Sequence, residues 1–254
     1  MRIAIITGAS SGMGREFALQ ISQKETFDEI WVIARREEAL KDLQQNIKTK
    51  VRPITLDLTK AESFKVYEEL LQKEQPDVAL LANIAGFGKF GRYDQIPLQD
   101  CMNMIDLNCK AVVCMSEICL PFMSEGAKII QVASIAAFQP LPFINVYGAT
   151  KAFVLNYAIG LDKELKDRNI RVFALCPGWT KTNFFDVAQT NPNDVKTFGV
   201  WFTAKQIVDY AMKKVQKSKK VILVPNIINK AQCTLTKIVS RNMAANIWLK
   251  IQGK

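Results

Sequence analysis

The chain has 254 residues, 49% hydrophobic and 23% charged, which suits one large α/β domain or two small ones with a substantial core. It contains no histidine, so a Ser-His-Asp triad and most zinc sites are excluded, and we predict no metal site. Its net charge of +10 is compatible with nucleic acid, an anionic membrane surface or an anionic ligand as a partner.

Short apolar or β-branched runs alternate along the chain with longer stretches of helical periodicity. The amphipathic stretches include 15–24, 36–47 and 61–74. This order predicts an α/β fold: a single doubly wound Rossmann-type domain spanning 1–254, with helices on both faces of a seven-stranded, mostly parallel sheet. We expect ligands to bind beyond the carboxyl ends of the strands. The predicted strands are 2–6, 30–34, 51–56, 78–82, 128–133, 171–175 and 221–224.

A glycine-rich turn, "TGASSGMG" (7–14), follows the first predicted strand and leads into a helix that we expect to start near Met13. Gly8, Gly12 and Gly14 permit close backbone approach, and the free N–H groups of the helix favour a phosphate. The spacing G-x-x-x-G-x-G differs from the commoner G-x-G-x-x-G. Tight turn geometry alone is the alternative interpretation, but the position between strand and helix favours a dinucleotide site.

The end of the second strand reads "VIARREE", with Ala34 where NAD-binding folds usually offer a carboxylate to the ribose. Arg35 and Arg36 follow, and a guanidinium can bind a 2′-phosphate that a carboxylate would repel. We therefore expect NADP(H) rather than NAD(H). The alternative is that these arginines open an exposed helix and pair with Glu37 and Glu38.

Tyr147 and Lys151 stand four residues apart in "NVYGATKAF" (145–153), so they share one face of a predicted helix. Taken alone, such a pair is better explained as a surface contact. Ser134, at the end of the fifth predicted strand, is in isolation a hydroxyl that satisfies the backbone. Asn108, in a helical stretch, is in isolation structural.

Taken together, seven blocks in order resemble the short-chain dehydrogenase/reductase family, in particular its NADP-preferring ketoreductase and hydroxysteroid dehydrogenase-like members. The resemblance runs from residue 3 to about residue 182. Each block is weak by itself, whereas the ordered combination is highly specific. The blocks are "TGASSGMG" (7–14), "LDLT" (56–59), "NIAG" (83–86), "LN" ending in Asn108, "VAS" ending in Ser134, "YGATK" (147–151) and "PGWTKT" (177–182).

The resemblance implies site residues at the matching positions. The catalytic residues would be Asn108, Ser134, Tyr147 and Lys151. Cofactor contacts would come from the turn residues Gly8, Ser10, Ser11, Gly12, Met13 and Gly14, from Arg35 and Arg36, from Asp57 and Leu58 beside the adenine, from Asn83, Ala85 and Gly86 at the adenine-side ribose, from Tyr147 and Lys151, and from Pro177, Gly178, Trp179, Thr180 and Thr182 at the nicotinamide and its phosphate.

Two positions depart from the family pattern. Ile84 replaces the second Asn of the usual "NNAG" block, which we expect to affect local sheet bonding more than chemistry. Ser11 stands where many NADP-using relatives place a base, so the preference for NADP(H) depends on Arg35 and Arg36.

The implied activity is hydride transfer between the nicotinamide and a carbonyl or secondary alcohol. Tyr147 would donate the proton, and the ammonium of Lys151 would lower its pKa from about 10 while anchoring the nicotinamide ribose. Ser134 would stabilise the developing charge on the substrate oxygen. Asn108 would hold a proton-relay water. A rival hypothesis is a non-catalytic dinucleotide-binding sensor or scaffold of the same fold, which has no need of these four side chains.

The residues after the cofactor blocks are largely apolar and aromatic, as in "FGKFGRY" (87–93) and "FQPLPF" (138–143). If they line the cleft, the substrate is bulky and apolar, such as a steroid, a bile acid or an acyl ketone. Ordinary core or lid packing is the alternative, and a small-aldehyde or small-ketone reductase is the alternative function. The predicted substrate-binding residues are Phe87, Phe138, Pro140, Trp179, Phe184 and Phe185.

Residues 226–254 extend beyond the family blocks as an amphipathic, basic segment, which we predict to be a helical extension within the single domain. Three roles compete: a lid over the substrate, a subunit interface, or a helix on an anionic membrane surface. We rank the lid and the interface above the membrane, because packing against protein is the commoner use of an apolar helical face.

The remaining expectations concern partners and compartment. We expect a small-molecule substrate and a homodimer or homotetramer, and no nucleic-acid partner, because the lysines of 212–220 lack the interleaved aromatic residues of a base-stacking groove. No apolar run approaches the roughly 18 residues of a membrane span, and the chain begins "MRIAIITGAS" with no leader ahead of it. The six cysteines form no C-x-x-C pair, so we expect reduced thiols and a cytoplasmic protein.

Overall fold

In the computed structural model, which describes residues 1–188 and 194–254, strands and helices alternate along the chain as the sequence predicts. The strands are β1 (Arg2–Thr7), β2 (Glu29–Ala34), β3 (Lys50–Thr55), β4 (Asp77–Asn83), β5 (Lys128–Val132), β6 (Arg171–Leu175), β7 (Thr180–Lys181), β8 (Phe202–Thr203) and β9 (Ile222–Leu223). The helices are α1 (Gly12–Lys24), α2 (Glu37–Gln45), α3 (Ala61–Glu74), α4 (Leu98–Ile105), α5 (Ala111–Cys119), α6 (Asn145–Glu164), α7 (Phe184–Ala188), α8 (Ala204–Lys217), α9 (Ile227–Leu235) and α10 (Arg241–Ile251).

Seven strands form one sheet in the order β3-β2-β1-β4-β5-β6-β9, and every neighbouring pair is parallel. These are the seven predicted strands, so the predicted fold is confirmed. β9 is shorter than predicted, because only Ile222 and Leu223 pair with β6. β7 and β8 form a separate parallel pair that the sequence did not predict.

The sheet is covered on both faces because its strands are apolar on both. In β1, Ile3 and Ile5 face a core with α3, α5 and α6, while Ala4 and Ile6 face a second core with α1, α2 and α8. All four are fully buried, as continuous apolar runs in parallel sheets require. This packing fixes the sheet as the scaffold of the site.

The order of strands reverses between β1 and β4. From β1 the chain proceeds outward to β2 and β3, and then returns to place β4 on the other side of β1. The loops that leave the carboxyl ends of β1 and β4 therefore diverge and open a crevice, the usual ligand position in open α/β sheets.

The predicted C-terminal extension consists of two helices, α9 and α10, each begun by a side-chain cap. Asn226 Oδ1 accepts a hydrogen bond from the amide of Ile228, and Ser240 Oγ accepts one from Met243 at 3.3 Å. A third cluster of buried residues, including Phe90, Ile144 and Trp248, joins α10 to the loops above the sheet.

Among the helices of the described residues, none has the length and apolarity needed to cross a membrane.

Candidate active site

The glycine-rich turn between β1 and α1 adopts a shape that only glycine tolerates. Gly8 and Gly12 have positive φ angles of 69° and 53°. A Cβ on Gly8 would lie 2.9 Å from the backbone of Ala85, and one on Gly14 would collide with the carbonyl oxygen of Gly8. The turn therefore packs backbone on backbone and leads directly into the N-terminus of α1, where a phosphate is stabilised by free amides and the helix dipole.

Arg36 lies across this turn. Its Nη2 donates to Ser10 Oγ at 3.1 Å and to the Ser10 carbonyl at 3.3 Å. Arg36 does open α2, as the alternative interpretation proposed, but Glu37 and Glu38 pair with Lys41 rather than with the two arginines. A guanidinium thus stands at the rim of the dinucleotide crevice.

Asp57, just beyond β3, is held as a carboxylate. Burial by itself would raise its pKa, but hydrogen bonds from the amide and hydroxyl of Thr59, at 3.0 and 2.8 Å, and the charge of Arg35 lower the pKa overall. The neighbouring Leu58 is buried in the core. The adenine contacts implied for Asp57 and Leu58 stay predictions.

The loop after β4 is tied to β1 by Thr7, a residue that sequence reasoning missed. Thr7 Oγ1 accepts from the amides of Ile84 and Ala85 at 2.9 and 3.0 Å. Asn83 turns its side chain into the core, where Nδ2 donates to Ser116 Oγ at 3.1 Å and to Gln131 Oε1 at 3.0 Å. Its ribose role stays a prediction, and any such contact would use its backbone.

Asn108 lies in a π-helical turn, Asp106–Lys110, and is fully buried. Its Nδ2 donates to the carbonyl of Phe87 at 2.9 Å and to Thr150 Oγ1 at 3.0 Å, while Oδ1 accepts from the amide of Phe87 at 3.1 Å. Its side chain also closely approaches Gly86, where a Cβ would lie 2.9 Å from Oδ1. Asn108 therefore joins the loop after β4 to α6, directly behind Lys151.

Lys151 points from α6 into the site. Its Nζ donates to the carbonyl of Val132 at 2.7 Å and lies 5.7 Å from the centre of the Tyr147 ring. Only 4% of Lys151 is exposed, and this burial lowers its pKa to about 8. The ammonium is still the major form at neutral pH.

Tyr147 and Ser134 form a hydrogen-bonded pair at the carboxyl end of β5. Burial raises the pKa of Tyr147 to about 12, and the hydrogen bond with Ser134 acts in the opposite direction without overcoming it. The expected lowering of this pKa by Lys151 is therefore not observed, because the loss of hydration on burial is the largest effect on the phenol. Tyr147 accordingly holds its proton at neutral pH, the state a proton donor needs.

One cavity brings these groups together with the loop after β6. It is lined by Ser134, Tyr147 and Lys151, and by the predicted cofactor residues Met13, Gly86, Pro177, Gly178, Trp179, Thr180 and Thr182. Thr182 also approaches Gly12, where a Cβ would lie 3.2 Å from its Cγ2. The two ends of the predicted cofactor site thus converge on one opening.

The substrate side of this cavity is apolar, but only half of the predicted residues line it. Trp179, Phe184 and Phe185 do so, whereas Phe87, Phe138 and Pro140 are not among the lining residues. Phe138 packs instead against the core below the sheet edge. The wall also includes residues that were not named as predicted site residues, among them Phe90, Gln139, Leu141, Ile144, Gln232 and Trp248.

An aromatic cluster fixes the orientation of Tyr147. The Phe90 ring meets the Tyr147 ring at 6.1 Å between centroids, and the Phe184 ring meets it at 5.4 Å. Phe87 and Phe90 both occur in the stretch "FGKFGRY" (87–93), but only Phe90 lines the cavity. The sequence does not show which of the two side chains points into the cavity. Rings packed in this way hold the phenol toward Ser134.

Comparison with known proteins identifies the family. The sequence profile of the short chain dehydrogenase family matches residues 2–193, and the chain belongs to that family. It is an oxidoreductase of a family that uses nicotinamide dinucleotides.

Two curated relatives are about one-third identical to the chain over the residues that align. Sulfoacetaldehyde reductase 2 of Chromohalobacter salexigens is 34% identical over 191 residues, which cover 72% of this chain and 74% of the relative. The NADP-dependent 3-hydroxy acid dehydrogenase of Schizosaccharomyces pombe is 32% identical over 187 residues, which cover 71% and 72%.

Solved structures with the same fold cover nearly the whole chain. A short-chain dehydrogenase from Sphingobium yanoikuyae in complex with NADPH superposes with a TM-score of 0.77, at 24% identity, over 95% of this chain and 97% of its own. One from Burkholderia phymatum in complex with NAD gives 0.79, at 20% identity and 92% coverage of both. A bulky-bulky ketone specific alcohol dehydrogenase from Comamonas testosteroni gives 0.73, at 25% identity, covering 98% and 99%. The first two hold different dinucleotides, so the fold alone does not decide between them.

Proposed function

We propose that this protein is an NADP(H)-dependent oxidoreductase that interconverts a carbonyl and a secondary alcohol on a bulky apolar substrate. The observation that carries this proposal is the convergence of Ser134, Tyr147 and Lys151 on one cavity wall beside the glycine-rich turn. The backbone cradle formed by Gly8, Gly12 and Gly14, which side chains would fill, fits the pyrophosphate of a dinucleotide.

In this proposal the dinucleotide supplies or accepts the hydride when it is bound. Tyr147 holds a proton at its hydroxyl and delivers it to the substrate oxygen as charge builds there. Ser134 donates a hydrogen bond to the same oxygen. Lys151 places a buried cation beside the phenol, which favours the anion that Tyr147 becomes after proton transfer. Asn108 positions the Gly86–Phe87 backbone that borders the cavity.

The preference for NADP(H) is supported by the position of Arg36 over Ser10, with Arg35 adjacent. The NADP-dependent relative from Schizosaccharomyces pombe agrees with it. Removing a charged hydrogen bond costs about 1.5–3 kcal/mol, so Arg36→Ala should raise the KM for NADPH roughly 10- to 100-fold with little change for NADH. Lys41→Ala, which removes a cation from α2, the helix that Arg36 precedes, is the matched control. Equal effects on both cofactors would contradict the preference.

A bulky apolar substrate is supported by the aromatic wall of the cavity, to which Phe90, Phe184, Phe185 and Trp248 contribute. The Comamonas testosteroni relative, described as specific for bulky-bulky ketones, has the same fold at 25% identity. The reductase of Chromohalobacter salexigens acts on sulfoacetaldehyde by its name, and so favours the small-aldehyde alternative.

One assay tests this proposal against its rivals. Steroid, bile-acid, acyl and small-aldehyde carbonyls are each supplied with NADPH and with NADH, and the loss of reduced cofactor is followed by absorbance. We expect turnover of the bulky ketones with NADPH. Turnover of small aldehydes alone would establish the alternative substrate class. Cofactor binding without turnover of any carbonyl would favour the non-catalytic sensor.

The C-terminal extension acts as a lid in this proposal, because Gln232 of α9 and Trp248 of α10 line the cavity. Homodimer or homotetramer formation is supported by the exposed apolar side chains of Met102, Ile105 and Phe153 on α4 and α6. A cytoplasmic location is supported by the six cysteines, all of which are free thiols.

A further inference from the structure

The net positive charge of this protein is confined to one end of the chain. After Asp209 the sequence contains ten basic residues and no acidic one, whereas the other 24 basic residues balance all 24 acidic residues of the chain. The whole net charge of +10 therefore lies in residues 210–254, which form the end of α8, the short strand β9, and α9 and α10. Such a concentration of charge attracts an anionic partner.

One lysine of α8 and the lysine of α9 lie on a common surface. Lys214 of α8 and Lys230 of α9 both approach the ring of Tyr210, at 6.0 and 5.7 Å from its centroid. In the described part of the chain, Lys254 alone among the ten has a carboxylate within ion-pair distance, that of Asp194. The other nine charges have no acidic partner within ion-pair distance among residues 1–188 and 194–254.

Exposed apolar side chains accompany these charges. On α9 and the turn after it, Ile227 and Ile238 are 81% and 80% exposed, and Ile228 and Leu235 are also exposed. On α10, the exposed residues Met243, Ile247 and Ile251 stand four apart, so they form one stripe along the helix. The buried sides of the two helices carry Cys233 and Trp248, which pack toward the cores. The apolar residues thus lie on the outer side, and we call this surface, with its basic residues, the cationic face.

We propose that the cationic face docks on a membrane surface rich in anionic lipids. Amphipathic helices that combine lysines with protruding aliphatic residues lie in the headgroup region, with the aliphatic groups inserted and the lysines paired with lipid charges. A second copy of the chain is a poor occupant, because a symmetric contact would bring two sets of ten positive charges together. A nucleic acid or an acidic protein would match the charge but not the exposed isoleucines.

Vesicle sedimentation of the full-length protein tests this proposal without any enzymatic assay, so it stands or falls separately from the proposed activity. The probes are large vesicles of phosphatidylcholine, with or without about 30% phosphatidylglycerol. We expect binding to the anionic vesicles only, weakened by salt. The variant K230Q/K237Q/R241Q removes three exposed charges of the cationic face, from α9, from the turn after it and from the first residue of α10. It should bind on the order of 100-fold more weakly, since each basic residue near such a surface contributes roughly fivefold.

The charge-matched control is K48Q/K73Q/K166Q, which removes three exposed lysines from outside the cationic face and should bind as the wild type does. The variant I227S/I238S should also bind anionic vesicles more weakly. If the true partner were an acidic protein or a nucleic acid, these substitutions would not weaken vesicle binding. The proposal is overturned if anionic vesicles do not sediment the protein, if the control variant loses as much binding, or if the isoleucine substitutions have no effect. If the wild type does not bind vesicles but forms dimers that I227S/I238S dissociates, the occupant of the cationic face is a second copy of the chain.

Discussion

The backbone of Gly88 lies against the ring of Tyr147: a Cβ on Gly88 would stand 2.8 Å from Cδ2 of Tyr147 and 2.9 Å from Cζ of Phe184. Neither ring can retreat freely, because Phe90 packs on both. Gly88→Ala must therefore displace the phenol. A shift of about 1 Å in a reacting group costs up to about 100-fold in rate, so we expect kcat to fall at least tenfold while the dissociation constant of NADPH stays unchanged.

The control for this substitution is Gly160→Ala on α6, where a Cβ would meet no atom within 4 Å. That variant should keep full activity and gain up to about 1 kcal/mol of stability from helix propensity. Wild-type kcat in Gly88→Ala would show that the Tyr147 ring need not be held in place.

Tyr147→Phe tests the proton donor directly. The change removes one oxygen and leaves the aromatic packing with Phe90 and Phe184, so the fold and NADPH binding should persist. Loss of general acid catalysis should lower kcat by roughly 10²- to 10⁴-fold. Binding is measured by fluorescence of the reduced cofactor and turnover by its absorbance. Full activity would remove Tyr147 from its assigned role.

Lys151 predicts a pH dependence of stability. Its pKa is lowered from 10.5 to about 8 by burial, so between these values the unfolded chain binds more protons than the folded one. Lys151 therefore destabilises the fold fully below pH 8, and this destabilisation is lost as the pH rises toward 10.5. The wild type should gain stability relative to Lys151→Met across this window, as measured by urea denaturation at several pH values. A constant difference between the two proteins would contradict the buried position of the ammonium.

Trp248 predicts a link between the extension and substrate size. Its Nε1 donates to the carbonyl of Pro142 at 2.9 Å, and its ring lines the cavity. Trp248→Phe should cost about 1 kcal/mol of stability through the lost hydrogen bond. It should also change the KM for bulky ketones more than that for NADPH. Met243→Ala, an exposed change on the same helix, should alter neither. An unchanged KM for every bulky ketone would remove α10 from the substrate site.

The sequence predicted the seven sheet strands because most of them are short apolar or β-branched runs, as expected where both faces of a parallel strand are buried. The ordered blocks that resemble the short-chain dehydrogenase/reductase family also predicted Ser134, Tyr147 and Lys151 as site residues, which no single local pattern did, and the three line one cavity. The pair β7 and β8 was missed because two-residue strands have no periodicity of their own.

Other features depend on long-range packing. Trp248 stands 106 residues from Pro142, its hydrogen-bond partner, so no local pattern connects it with the cavity. Phe90 and Phe138 look alike in sequence, but the first turns toward Tyr147 and the second toward the core. The direction of the Tyr147 pKa shift was predicted wrongly, because the extent of burial depends on the packing of elements distant in sequence.

The separation of charge described for residues 210–254 also has a consequence at a distance. A body without net charge joined to an end that carries +10 has a large permanent dipole, whose positive pole lies at α8–α10. The electric field of a negative surface extends roughly 8–10 Å into a salt solution before it is screened. Within that distance the field rotates such a molecule before it makes contact with the surface. Electrostatic torque therefore sets the orientation of the molecule on arrival. The first elements to reach the surface are α9 and α10, the two helices that cover the cavity.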